Sequence, residues 1–265
     1  MQDIEYIDRL MTYYVPGARK VIVRTEIADG IDEDNELMIG YEDSEHNLDL
    51  VFSEDGRLLE SRHYFLSDEE LGYRYELEYN DQRLITKMSR YSLADNRLAW
   101  VAVCSYDEQG RMVEKVNSWS SFGKKQEWIT KYQYFGLTKR VSGKDCFGNT
   151  ISGYESWCND FKQETLWKFI NEKGEYQGRM EFSYLPDGGS LTCKSAMDEN
   201  ERLVYQMKYT YLDNGLLSRY TDQGEDFLED WSYRYGYGCD GIWVYKGYYS
   251  EGFLIFYSER EVEYW

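Results

Sequence analysis

Histidine is nearly missing from this chain: His46 and His63 are the two in 265 residues. That leaves no room for a multi-histidine metal site, and no HExxH or GxSxG stretch marks a hydrolase. Proline is as scarce, with Pro16 and Pro186 alone, and no Pro-, Ser- or Gln-rich run suggests a linker. The five cysteines, Cys104, Cys146, Cys158, Cys193 and Cys239, are odd in number, scattered and without a CxxC pair. A disulfide framework and a zinc cluster are therefore not expected, and buried free thiols are the default. No cofactor is expected.

Long apolar runs are missing too. The first twenty residues, "MQDIEYIDRLMTYYVPGARK", place acids where a signal peptide needs bases, and nothing resembles an h-region or a membrane-spanning helix. The expectation is a cytoplasmic protein with no membrane contact. Basic residues are the minority, 30 Lys plus Arg against 49 Asp plus Glu, for a net charge of −19. Phosphate backbones would be repelled, so nucleic acid is not an expected ligand. The surplus either steers the chain to a basic partner or keeps it soluble.

Aromatics are abundant: 27 Tyr and 8 Trp lie within a chain that is 42% hydrophobic. That is enough to bury a core. One pattern recurs, in "SEDGRLLESR" (53–62), "YNDQRLITKM" (79–88), "LADNRLAWVA" (93–102), "YDEQGRMVEK" (106–115), "MDENERLVYQ" (197–206) and "YLDNGLLSRY" (211–220). An acid or amide, a turn residue, Arg or Gly, and an apolar residue follow in that order. Asp and Asn bond nearby backbone and Gly supplies positive φ, so each copy marks a hairpin bend. Asp55, Gly56, Arg57, Asp107, Gly110, Arg111, Asn214 and Gly215 are the expected turn residues, with Gln82 and Asn96 standing where other copies have Gly.

Between the bends, side chains alternate. "RYELEYN" sets Tyr75, Leu77 and Tyr79 against Arg74, Glu76, Glu78 and Asn80, and "QMKYTY" repeats the scheme at 206–211. Such alternation fits strands with one buried and one wet face, and short consecutive hairpins make an antiparallel meander. Only the N-terminus has helical spacing: Ile4, Ile7, Leu10, Met11 and Tyr14 share a face, and Pro16 and Gly17 end it. The expected architecture is all-β, a curved open sheet over 17–265, irregular around 135–190, capped by a helix over 1–16.

With those residues laid out, the chain resembles the bacterial YD-repeat, or RHS-repeat, proteins, whose units read Tyr-x-Tyr-Asp-x-x-Gly-Arg-hydrophobic. Tyr106, Asp107, Gly110, Arg111 and Met112 match that pattern. The final "WSYRYGYGCDGIWVYKGYYSEGFLIFYSEREVEYW" is similar to the last unit of short relatives. The resemblance covers about half of the chain, and it implies a β-strip of hairpins with a role in binding, including immunity toward toxins.

Other motifs give way to plainer readings. "GYGCDG" (236–241) satisfies GxGxxG, but an alternating, strand-like segment follows where a dinucleotide site needs a helix. "IDEDNELMIGYE" (31–42) has calcium-loop acids, yet Leu37 stands where that loop needs Gly. A carboxylate pair such as Glu225 with Glu229 or Asp230 could serve glycoside hydrolysis only at a fixed separation. The leading expectation is a non-enzymatic module that binds a protein, in its most specific form a basic toxin domain. Asp68, Glu69, Glu70, Glu225, Asp226, Glu229 and Asp230 would steer, and Tyr235, Tyr237, Trp243 and Tyr248 would anchor. Carbohydrate recognition by an aromatic sheet face and a purely structural role are the alternatives.

Overall fold

The computed structural model describes residues 10–11, 13–27, 47–65, 68–121, 124–144, 150–224 and 227–265. Eighteen strands follow one another: β1 (Ala18–Ile27), β2 (Asn47–Phe52), β3 (Leu58–Phe65), β4 (Asp68–Tyr79), β5 (Ile85–Ser92), β6 (Leu98–Tyr106), β7 (Met112–Ser121), β8 (Lys124–Phe135) and β9 (Thr138–Lys144). The series continues with β10 (Thr150–Cys158), β11 (Glu164–Asn171), β12 (Tyr176–Tyr184), β13 (Leu191–Met197), β14 (Leu203–Tyr211), β15 (Leu217–Gly224), β16 (Leu228–Tyr237), β17 (Trp243–Ser250) and β18 (Phe253–Tyr264). They fall into two compact units. Unit 1 is Met1–Val103, Arg234–Tyr248 and Leu254–Trp265, and unit 2 is Cys104–Tyr233 with Tyr249–Phe253.

The expected open sheet is corrected by β1. It pairs antiparallel with β2, Val21 opposite Leu50, and on its other side with β18, Val21 opposite Val262. First and last strands are thus joined, all eighteen strands belong to one sheet, and the result is a closed antiparallel barrel. Closure removes the unpaired edges an open sheet would leave.

The N-terminal helix is also corrected. Residues 1–9 and 12 lie outside the described residues; of the rest, Leu10 and Met11 are helical, and none of the eighteen described elements is a helix. From Tyr13 the chain runs in tight turns, with Tyr13 N–H donating to Leu10 O and Ala18 N–H to Val15 O, and leads into β1. The segment still covers apolar surface. Leu10 and Val15 are buried with Val21, Val23, Leu48, Leu50, Phe52 and Leu58, and this cluster is the core of unit 1.

The repeat is a turn of one kind. In "YDEQGRM", Asp107 N–H donates to Arg111 O and Gly110 N–H to Asp107 O, while Asp107 Oδ1 accepts from the backbone of Gln109 (3.0 Å) and Arg111 (2.9 Å). Asn159, Asn171 and Asp198 hold the same bonds in their turns. A left-handed residue closes each such turn, and a bulge follows in the strand pair. Gly56, Gly110, Gly174 and Gly215 fill that position, but so do Arg83, Lys162 and Glu201 at φ of 65°, 64° and 64°. In the second copy it is therefore Arg83, not Gln82, that takes the place of Gly.

Tyrosine has its own task in the repeat. Tyr79, Tyr134, Tyr184 and Tyr211 each donate a hydroxyl proton to the carbonyl of the residue that opens the preceding strand: Leu58, Met112, Glu164 and Leu191, at 2.7–2.9 Å. Arg57 lies over the Tyr79 ring and Arg111 over that of Tyr134. Tyr and Arg thus tie one turn to the next along a rim. Burial pushes the Tyr79 phenol up to about 12 because the charged form would lose its solvation.

Candidate functional site: the turn rim of unit 2

Antiparallel succession puts the turns β8–β9, β10–β11, β12–β13 and β14–β15 at the same end of the unit 2 sheet. Turns are ordinarily polar, yet these carry Phe135 (62% exposed), Leu137 (52%), Phe161 (60%), Leu185 (38%) and Leu212 (41%). Neighbouring turns touch. Cys158 N–H donates to Leu137 O at 2.9 Å, and Gln163 Nε2 donates to Gly188 O and Gly189 O. Phe161 lies against Gly188 so closely that a methyl there would meet its ring at 2.6 Å.

Acids stand at the tips of three of these turns and of the neighbouring β6–β7 turn. Glu108, Asp160, Asp187 and Asp213 are exposed, against the one exposed turn cation Lys162 and an Arg111 already paired with Asp107. Contiguous exposed apolar side chains rimmed by charge are the mark of an interaction surface.

The residues expected to bind a partner are not gathered into one surface. Glu225 and Asp226 lie outside the described residues, as does the calcium-like loop at 31–42. Asp68, Glu69 and Glu70 open β4 in unit 1; Glu229 and Asp230 are on β16 in unit 2. Glu229 is exposed, while Asp230 forms an ion pair with Arg219 that holds its carboxyl below the usual range, the hydrogen bond from Arg219 being the main cause. Tyr237 is exposed and Tyr235 half-buried, its ring 6.1 Å from that of Trp243.

Trp243 and Tyr248 are buried in unit 1. The Arg260 guanidinium sits 3.9 Å from the Trp243 ring centre, its Nε donates to Trp243 O at 2.8 Å, and burial lowers Arg260 to about 10. Ser258 Oγ lies 3.2 Å from the Tyr248 hydroxyl and 2.6 Å from Thr25 Oγ1. Both rings serve the core rather than a surface.

"GYGCDG" closes the β16–β17 hairpin and a strand follows it, so it offers no helix N-terminus to a phosphate. Buried His63 has Nε2 3.0 Å from Ser61 Oγ and stands edge-on to Tyr75. Among the described residues, no three His, Cys, Asp or Glu are grouped as a metal ion would need. The rim residues had a signal in the sequence that the repeat grammar passed over: apolar side chains at turn positions in "YFGLT", "NDFKQ", "YLPDG" and "YLDNG".

No family model matches the chain, and no curated protein does. Among solved structures, a porin-like protein from Bacteroides uniformis is 10% identical, with 95% of this chain and 100% of that chain covered and a TM-score of 0.35. A TcdB2-TccC3-TEV structure is 10% identical over 80% of this chain and 15% of that one, at a TM-score of 0.23. TcdB2-TccC3 without its hypervariable C-terminal region gives 10%, 79%, 15% and 0.22. At these scores the account of the fold rests on the strand pairing itself.

The cytoplasmic placement and the exclusion of a membrane are corrected with the open sheet. They rested on the lack of an apolar helical run. No described helix is long and apolar enough to cross a membrane, but closed antiparallel barrels cross with strands, whose alternating signal is far weaker. Closure of the barrel therefore removes the ground on which the chain was placed in the cytoplasm and away from a membrane.

Proposed function

We propose that the chain is a non-enzymatic protein-binding module and that the turn rim of unit 2 receives the partner. The observation that supports this is the row Phe135, Leu137, Phe161, Leu185 and Leu212, exposed on consecutive turns, three of which carry an exposed Asp at the tip. Such a row fits a cationic segment that carries apolar anchors. The net charge of −19 speeds the encounter, and the rings and leucines hold the complex once water is expelled.

The test is affinity capture with the tagged chain, alongside the double variant Phe161→Asp, Leu212→Asp. One stoichiometric basic partner is expected, captured less as salt rises and lost with the variant. A partner that the variant retains, or no protein partner at all, would overturn the reading.

A further inference from the structure

The sheet of unit 2 has another unusual surface. Register carried from β10 to β15 places Tyr154, Trp167, Phe182, Tyr205, Tyr209 and Tyr220 on one face. Trp167 is 5.0 Å from Tyr154 and 4.7 Å from Phe182, and Tyr209 is 5.5 Å from Tyr220, between ring centres. All six rings are half-buried rather than buried.

The polar groups of this face are ordered and nearly balanced in charge. Glu164 Oε2 accepts from Trp167 Nε1 at 2.8 Å, and its Oε1 accepts from Ser156 Oγ at 2.9 Å and from the Lys139 ammonium. Lys139 also lies over the Tyr132 and Tyr154 rings, and Lys194 over Tyr205. By register, the strand cations Lys115, Lys124, Lys139 and Lys194 and the carboxylates Glu164, Asp222 and Glu229 meet on this face, four against three. That near-balance stands against the −19 of the whole chain.

Two acceptors at either side of the ring row are unused. Asp222 Oδ2 accepts from the Tyr220 hydroxyl at 3.0 Å, but Asp222 Oδ1 and Asn117 Oδ1 are buried without a hydrogen-bond partner. Orphaned buried acceptors call for a donor that the chain does not itself supply.

We propose that this face binds a neutral oligosaccharide. Sugar rings have apolar C–H faces that stack on aromatic rings and hydroxyls that donate to carboxylates and amides, which is the combination offered here. Near-balanced charge gives little preference to an anionic or a cationic glycan. This site is independent of the turn rim.

The experiment is a calorimetric titration of the whole chain with cellohexaose, maltohexaose and chitohexaose, followed in parallel by tryptophan fluorescence. Saturable binding of at least one is expected, unchanged between about 0.05 and 0.5 M NaCl because the sugars carry no charge. Trp167→Ala should weaken it about tenfold or more, with Trp167→Phe as the milder variant if the first fails to fold. Phe161→Asp on the rim should leave it unaltered. Absence of binding by all three sugars up to about 20 mM, far above a useful stacking affinity, or equal binding by wild type and Trp167→Phe and Trp167→Ala, would overturn the proposal.

Discussion

Gly56→Ala and Gly215→Ala are the same chemical change in the same kind of turn, and the structure predicts different outcomes. Both glycines sit at positive φ, +80° and +82°, where a Cβ costs roughly 1–2 kcal/mol. Around Gly215 nothing lies within 4 Å of the added methyl, so the backbone term is the whole effect. At Gly56 the methyl would stand 2.7 Å from the Tyr14 hydroxyl and 2.9 Å from its Cζ, and the ring must move. Tyr14 is packed on Phe52 at 5.0 Å between ring centres, a contact worth about 0.5–1.5 kcal/mol. Gly56→Ala should therefore lose about 2–3 kcal/mol and Gly215→Ala about 1–2. Urea unfolding of both variants, and of each in a Tyr14→Ala background, measures the difference. With Tyr14 gone, the two glycines should become equivalent. Equal losses in the wild-type background would refute the placement of the N-terminal segment over the first turn.

Further outcomes follow from the same geometry. Tyr79→Phe leaves the Leu58 carbonyl without its 2.7 Å donor and should cost roughly 1–2 kcal/mol in thermal or urea unfolding. The Asp198 carboxyl is held below its ordinary 3.8, first by the backbone N–H of Arg202 and then by Asn200, with burial opposing. A group so depressed contributes stability that is complete above pH 3.8 and is lost as pH falls through its folded value. Asp198→Asn should therefore flatten the acid limb of the stability curve and leave neutral pH little changed. Thiol labelling should be fast at exposed Cys239 and blocked at buried Cys104 until the chain unfolds; Cys158, whose pKa is raised first by burial and then by the Glu164 carboxylate, should react slowly near neutrality.

The hairpin grammar was legible because it is local. An Asp or Asn accepting two backbone N–H groups, a left-handed residue and alternation on either side all occur within a few residues, and "YDEQGRM" contains them all. Closure was not legible, since the same hairpins fit an open strip or a barrel. What decides is whether β1 meets β18, a pairing of residues some 240 apart that no local pattern encodes. The stretch 135–190 read as irregular because of its glycines, yet it contains β9 to β12. Gly143 lies where any Cβ would strike the Trp128 indole at 2.8 Å, and Gly178 where one would strike Met197 O at 2.4 Å. These glycines admit neighbours into a sheet rather than break it. Trp243 and Tyr248 misled in the other direction, because an aromatic-rich strand looks the same whether its rings face a partner or Arg260 and Ser258.

Amide hydrogen exchange along β1, resolved by residue, tests the closed sheet most directly. Closure predicts slow exchange at consecutive amides from Val21 to Thr25, since successive N–H groups point alternately to the neighbours on either side. Slow exchange at every second amide alone, with the intervening ones as fast as in a free strand, would show that β1 has an open edge and would contradict the barrel.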